Sequence, residues 1–127
     1  MSKTISSPDA AAPVASYSQA VTAGDLVFVS GQIPLDPKSG GLISHSIEAA
    51  TEQSLRNVQR ILEAAGLDLR HVVKASVFLI NTEDYAGMDA TYKSIMSDPF
   101  PAREAIFVAG LPKNARVEIS VIAHTQR

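Results

Sequence analysis

The stretch Ser46–Ile80, SIEAATEQSLRNVQRILEAAGLDLRHVVKASVFLI, decides the fold class, because a helix pattern and a strand pattern follow one another across a clear stop. Ile47, Ala50, Leu55, Val58, Leu62 and Ala65 recur at three-to-four spacing with one five-residue step, which puts one apolar stripe on a helix. Ser46 supplies an N-cap hydroxyl, and Gly66 stands where the chain must leave the helix. Val72–Ile80 is different. It is β-branched, apolar on both faces and bounded by Asn81-Thr82, so it predicts a central strand.

Downstream, residues 83–97 return to helical spacing through Tyr85, Met88, Tyr92, Ile95 and Met96, and stop before Pro99-Phe100-Pro101. Two strand patterns follow, Arg103–Ala109 and Val117–Ala123, joined by a turn containing Gly110, Pro112 and Asn114. Upstream, Tyr17–Thr22 and Leu26–Ser30 flank Ala23-Gly24-Asp25, the kind of short connection that closes an antiparallel hairpin. Gln32–Gly41 contains Pro34, Pro37, Gly40 and Gly41 and reads as a loop, with a brief strand at Leu42-Ile43. Residues 1–16 are rich in Ser, Ala and Pro without a period, and read as an extended or mobile arm. The order is ββαβαββ, with hairpins expected at both ends. It predicts an α+β fold in which two helices pack on one face of a mixed sheet and the other face is covered or wet.

The 127 residues fit one domain, 1–127, and 46% hydrophobic against 19% charged residues is enough apolar material for a core. Eleven Lys and Arg against 13 Asp and Glu give a formal charge of −2 without any basic block, so nucleic acid is not an expected partner. Cysteine is absent, which removes disulfides, thiolate nucleophiles and Cys-based zinc sites. No apolar run approaches the roughly 20 residues of a membrane helix, and no signal-peptide core is present, so the expected setting is the cytoplasm. A mitochondrial one stays open for a eukaryotic source.

Most motifs associated with catalysis are missing. His45, His71 and His124 share no metal-ligand spacing, Gly40-Gly41 belongs to neither a P-loop nor a dinucleotide fingerprint, and no G-x-S-x-G elbow occurs. Glu48 and Glu52 sit near a helix start, where carboxylates favour the dipole. Two residues stand out. Arg103 follows a Pro-Phe-Pro-Ala run, where a rigid turn can aim a guanidinium whose fork suits a carboxylate. Glu118 lies between Val117 and Ile119, whose side chains read as core, and in a cleft its carboxylate could orient water. Spacing alone favours a plainer reading, a salt bridge from Arg103 to Glu118 on a neighbouring strand, or a solvent-facing Glu118.

Several motifs in register resemble those of the RidA (YjgF, L-PSP) family of enamine/imine deaminases. They are A-S-Y-S-Q-A around Tyr17, S-G-Q-I-P at Ser30–Pro34, E-A-A-G-L at Glu63–Leu67 and V-V-K-A-S-V-F-L at Val72–Leu79. F-P-A-R at Phe100–Arg103 and L-P-K followed by V-E-I-S-V-I-A through Ala123 complete the set. The resemblance runs from about Tyr17 to the C-terminus. It implies a chorismate-mutase-like fold, a homotrimeric barrel with active sites between subunits, and hydrolysis of 2-aminoacrylate, 2-iminopropionate and related imino acids to 2-oxo acids and ammonia. It implies no metal and no cofactor. It places the carboxylate-binding arginine on Arg103 and the water-positioning glutamate on Glu118. The cleft wall from the other subunit falls on Tyr17, Ser30, Gly31 and Tyr85, and backbone N–H groups near Gly31 and Ala105 hold the substrate.

Two positions depart from the family pattern: Ala105 stands where Cys is frequent, and Asp89 where Asn is frequent. Asp89 adds a negative charge beside an anionic substrate, so an altered substrate range is expected. Two other functions compete with the deaminase, a ribonuclease or translation inhibitor and a non-catalytic, ligand-binding or chaperone-like trimer.

Overall fold

The computed structural model describes residues 2–127. Its strands are β1 (Lys3–Ile5), β2 (Ala20–Ala23), β3 (Leu26–Gln32), β4 (Val72–Leu79), β5 (Ala102–Phe107) and β6 (Val117–His124). Its helices are α1 (Ile47–Ala64) and α2 (Tyr85–Ile95). One six-stranded sheet forms in the order β1-β2-β3-β6-β4-β5. Every neighbouring pair is antiparallel except β4 and β5, which run parallel.

The helix read from Ser46 to Gly66 is present with both of its caps. Ser46 Oγ accepts from Ala49 N at 3.0 Å, satisfying one of the first-turn donors. At the other end Gly66 adopts φ +78°, its N–H donates to Glu63 O at 2.9 Å, and Leu67 N donates to Leu62 O at 2.9 Å. Only a left-handed residue closes this Schellman pair without strain, which is why glycine follows the helix. Leu55, Val58, Ile61 and Leu62 of the stripe are at 0% exposure, while Ala65, expected at its end, is the C-cap and only partly buried. It packs on Ala75, Val77, Ile119 and Val121 of the sheet. Fully burying one such side chain stabilises the fold by about 1.5–3 kcal/mol. The second helix, α2, joins the same core through Met88 and Tyr92. It approaches α1 closely at Gly87, where a Cβ would come within 2.5 Å of Glu48 Oε2.

Two expectations need correction. β5 and β6 do not form a closing hairpin, because β4 stands between them and pairs with both. A parallel neighbour needs a long crossover, and α2 supplies one between β4 and β5; β6 then pairs antiparallel with β4 on one side and β3 on the other. The N-terminal arm is docked, and it contributes a strand the sequence pattern did not suggest. Lys3–Ile5 pair with Ala20–Thr22, and Gln19 fastens the chain beyond. Its Nε2 donates to Ala11 O at 2.8 Å and Ser7 O at 3.2 Å, while its Oε1 accepts from Ser7 N at 2.6 Å. Backbone pairing and one glutamine hold this segment, with Ala10 buried in the main core and Ile5 packed against it, too few apolar contacts to leave a hydrophobic period to read.

The expected N-terminal hairpin forms across Gly24 (φ +59°) and Asp25, closing on the Ala23–Leu26 pair. The brief strand at Leu42 is a single bridge to Leu35. The sheet's second face carries no helix. Phe28 and Ile106 stand on it, 41% and 45% exposed, beside an ion pair between Lys74 Nζ and Glu104 Oε1 at 3.0 Å that Ser76 joins through its hydroxyl.

Candidate active site

Arg103 is held from three sides. It lies on the edge strand β5, level with Ala75 of β4 and so on the helix-covered face. Its Nη1 donates to Asp89 Oδ1 at 2.8 Å and its Nη2 donates to Tyr85 Oη at 2.8 Å, both from α2. The Tyr92 ring lies 4.8 Å from the guanidinium carbon and the Tyr85 ring 5.7 Å from it. A cation over two aromatic faces and an ion pair is fixed before any ligand arrives. A cavity of about 400 Å³ opens there, lined by Asp89, Tyr92, Lys93, Phe100, Pro101 and Arg103. The Tyr92 hydroxyl is buried with no partner among the described residues, and burial pushes its pKa up while the Arg103 charge opposes the shift.

Glu118 lies elsewhere. It is level with Phe78 of β4, three residues along from the Ala75 level, so its side chain points to the face without helices. It lies against Gly31, where a Cβ would come within 2.7 Å of Glu118 Oε2; only glycine leaves the carboxylate its place. β3 slips register against β6 between Val29 and Gln32, and this bulge sets Ser30 and Gly31 opposite Ser120. Ser30 Oγ donates to Ser18 O at 2.6 Å, tying the bulge to the chain that carries Tyr17. A cavity of about 370 Å³ results, lined by Val14, Ala15, Tyr17, Ser30, Gly31, Ile33, Pro112 and Glu118. Half-buried, and with no hydrogen-bond donor or cation among the described residues to offset the loss of water, the Glu118 carboxyl has a raised pKa.

The predicted residues thus fall into two clusters. Tyr17, Ser30, Gly31 and Glu118 meet at one, and Arg103, Asp89 and Tyr85 at the other. Tyr85, expected with Tyr17 in the wall of the opposite cleft, instead binds Arg103 of its own chain. Ala105 enters neither cavity and packs partly against the core. The suggested Arg103–Glu118 salt bridge is excluded: the two lie on opposite sheet faces, two strands and about 10 Å apart across the sheet. Asp89 takes the ion pair. Tyr92, read from sequence only as a core position, belongs to the Arg103 cluster, and its spacing of three from Asp89 and seven from Tyr85 is the signal that could have shown it.

A larger cleft, about 650 Å³, lies between the N-terminal arm and α1. Its rim mixes Lys38, Arg56 and Arg60 with Asp9, Asp36 and Glu63, and it holds none of the residues singled out above. Among the described residues there is no group of three or more His, Cys, Asp or Glu placed to hold a metal ion. Nor is any helix among them long and apolar enough to cross a membrane.

Comparison with known proteins agrees with the architecture and the motifs. Residues 7–125 match the endoribonuclease L-PSP family. The 2-iminobutanoate/2-iminopropanoate deaminase of Salmonella typhimurium is 44% identical over 126 residues, covering 97% of this chain and 98% of that protein. A RutC family protein of Pyrococcus horikoshii is 40% identical over 126 residues, covering 99% of this chain and 100% of that protein. The crystal structure of RidA from an Antarctic Psychrobacter superimposes with a TM-score of 0.93 at 41% identity, covering 96% of this chain and 98% of that one. The chain belongs to the RidA (YjgF, L-PSP) family.

Proposed function

We propose that this protein hydrolyses reactive enamine and imine intermediates, 2-aminoacrylate, 2-iminopropionate and related imino acids, to 2-oxo acids and ammonia. The observation that carries the reading is the pair of preformed half-sites, one a fixed guanidinium and the other a half-buried carboxylate without a partner among the described residues. Relatives named 2-iminobutanoate/2-iminopropanoate deaminase at 42–44% identity support it.

Because Arg103 and Glu118 lie on opposite faces of one sheet, one chain cannot bring both to one small substrate. Two copies can. A homotrimer in which the helix-free sheet faces line a barrel would bring the Arg103 corner of one subunit to the Glu118 corner of the next, and would cover Phe28 and Ile106. The substrate carboxylate binds Arg103, and each charge-assisted hydrogen bond contributes about 1.5–3 kcal/mol. The C=N carbon then faces Glu118, which orients a water and accepts its proton as the oxygen bonds to carbon. That proton passes to nitrogen, giving the carbinolamine; Glu118 then takes the remaining hydroxyl proton and hands it to the same nitrogen, so that the C–N bond breaks and ammonia leaves as the C=O forms. Backbone N–H groups at Gly31 hold the substrate in place. Side chains, backbone and water supply every group in these steps, so they involve no metal and no cofactor.

To test the reading, 2-iminopropionate is generated in place by an amino acid oxidase, residual imine is trapped with semicarbazide, and the protein is compared with Arg103→Ala. The native protein lowers trapping and the variant does not. Equal trapping with native protein and with none would remove the catalytic assignment.

A further inference from the structure

The negative charge of Asp89 has a use that its pairing makes visible. A carboxylate beside a carboxylate-binding arginine would repel an anionic substrate, yet here it is bonded to the arginine, Oδ1 to Nη1 at 2.8 Å. Its second oxygen, Oδ2, accepts no hydrogen bond among the described residues, and the side chain remains 46% exposed beside the cavity. Lys93, one helical turn on and lining the same cavity, forms no ion pair with it. The corner therefore presents a cation and an anion side by side, each with hydrogen-bonding capacity left over. An α-imino acid protonated on nitrogen is the mirror of this arrangement, a carboxylate with a positive nitrogen on the adjoining carbon.

We propose that Asp89 is a cation subsite that makes the Arg103 corner a receptor for zwitterions. Arg103 takes the carboxylate and Asp89 Oδ2 takes the protonated nitrogen beside it. This rests on the deaminase reading and adds substrate selection to it. The protonated imine is the form that water attacks most readily, so the subsite gathers the reactive form. The 2-oxo acid product has lost its nitrogen and meets Asp89 as an unoffset anion, which favours its release.

Alanine and propionate provide the test, since they share a carbon skeleton and differ by one ammonium. Dissociation constants for both are measured by titration calorimetry or NMR on the full-length native protein, Asp89→Asn and Arg103→Ala. The native protein is expected to bind alanine at least about tenfold more tightly than propionate, and Asp89→Asn to lower that ratio by about tenfold or more, chiefly by tightening propionate. An unchanged ratio in Asp89→Asn, with both ligands lost in Arg103→Ala, overturns the subsite and leaves the arginine anchor standing. Retention of both ligands by Arg103→Ala overturns the anchor and the subsite together. A native protein that binds neither ligand while it hydrolyses imine also overturns the subsite.

Discussion

The corner around Arg103 and the corner around Glu118 are built from the same sheet in opposite ways. Arg103 has its charge matched and its plane fixed by Asp89, Tyr85 and Tyr92. Glu118 lies against the bare backbone of Gly31 with no hydrogen-bond or ion-pair partner among the described residues, and burial raises its pKa. A group that only has to hold an anion gains from being fixed, because no ordering is left to do when the ligand arrives. A group that has to accept a proton gains from lacking partners, since a stabilised carboxylate is a weaker base. The contrast suits the roles proposed above, positioning at one corner and proton transfer at the other.

The largest expected effect comes from Glu118→Gln, which keeps the shape and removes the base. The rate of imine hydrolysis falls by about 10²–10⁴-fold, while thermal stability at neutral pH rises because no unpartnered carboxylate is left half-buried. The sign follows from the raised pKa: the folded state holds the Glu118 proton more tightly than the unfolded chain, so its contribution favours the fold at low pH and is lost as pH rises through the folded pKa. Calorimetric melting beside the trapping assay reads both; a drop in melting temperature would contradict the description of that corner. Gly31→Ala is next. Its methyl group must displace the Glu118 carboxylate, costing about 10–100-fold in rate with the fold retained by circular dichroism.

Tyr85→Phe removes one neutral-to-charged hydrogen bond from Arg103 and leaves the ring. A rise in KM of about 3–10-fold with kcat little changed sharpens the view that this corner only holds. The pH profile gives the smallest effect. Activity of the native protein declines as pH falls through the raised Glu118 pKa, and a profile still flat well into the acid range would show that Glu118 does not act as the base.

Much of this was legible in the sequence, and the parts that were not share a cause. The α1 stripe and its Ser46 and Gly66 caps are local features, and local features write themselves into spacing. The insertion of β4 between β5 and β6 depends on which strand edges remain free, and no window of sequence holds that information. Arg103 and Glu118 stood out as residue types in unusual places, but their separation to opposite faces follows only from the register of β4 against both neighbours. The β1 pairing and the Arg103–Asp89 bond are likewise contacts between distant or differently structured segments. Tyr92 was within reach of helical arithmetic and was absorbed by the core pattern instead.

The central claim is that one working site needs two copies of the chain. Arg103→Ala and Glu118→Gln are each expected to be nearly inactive alone, and mixing the two through reversible unfolding and reassembly tests the claim most directly. Random assembly joins an intact Arg103 corner to an intact Glu118 corner at about a quarter of the sites, so about a quarter of native activity returns. If the mixture stays as inactive as its parts while mass spectrometry shows mixed oligomers, the two corners do not form one site.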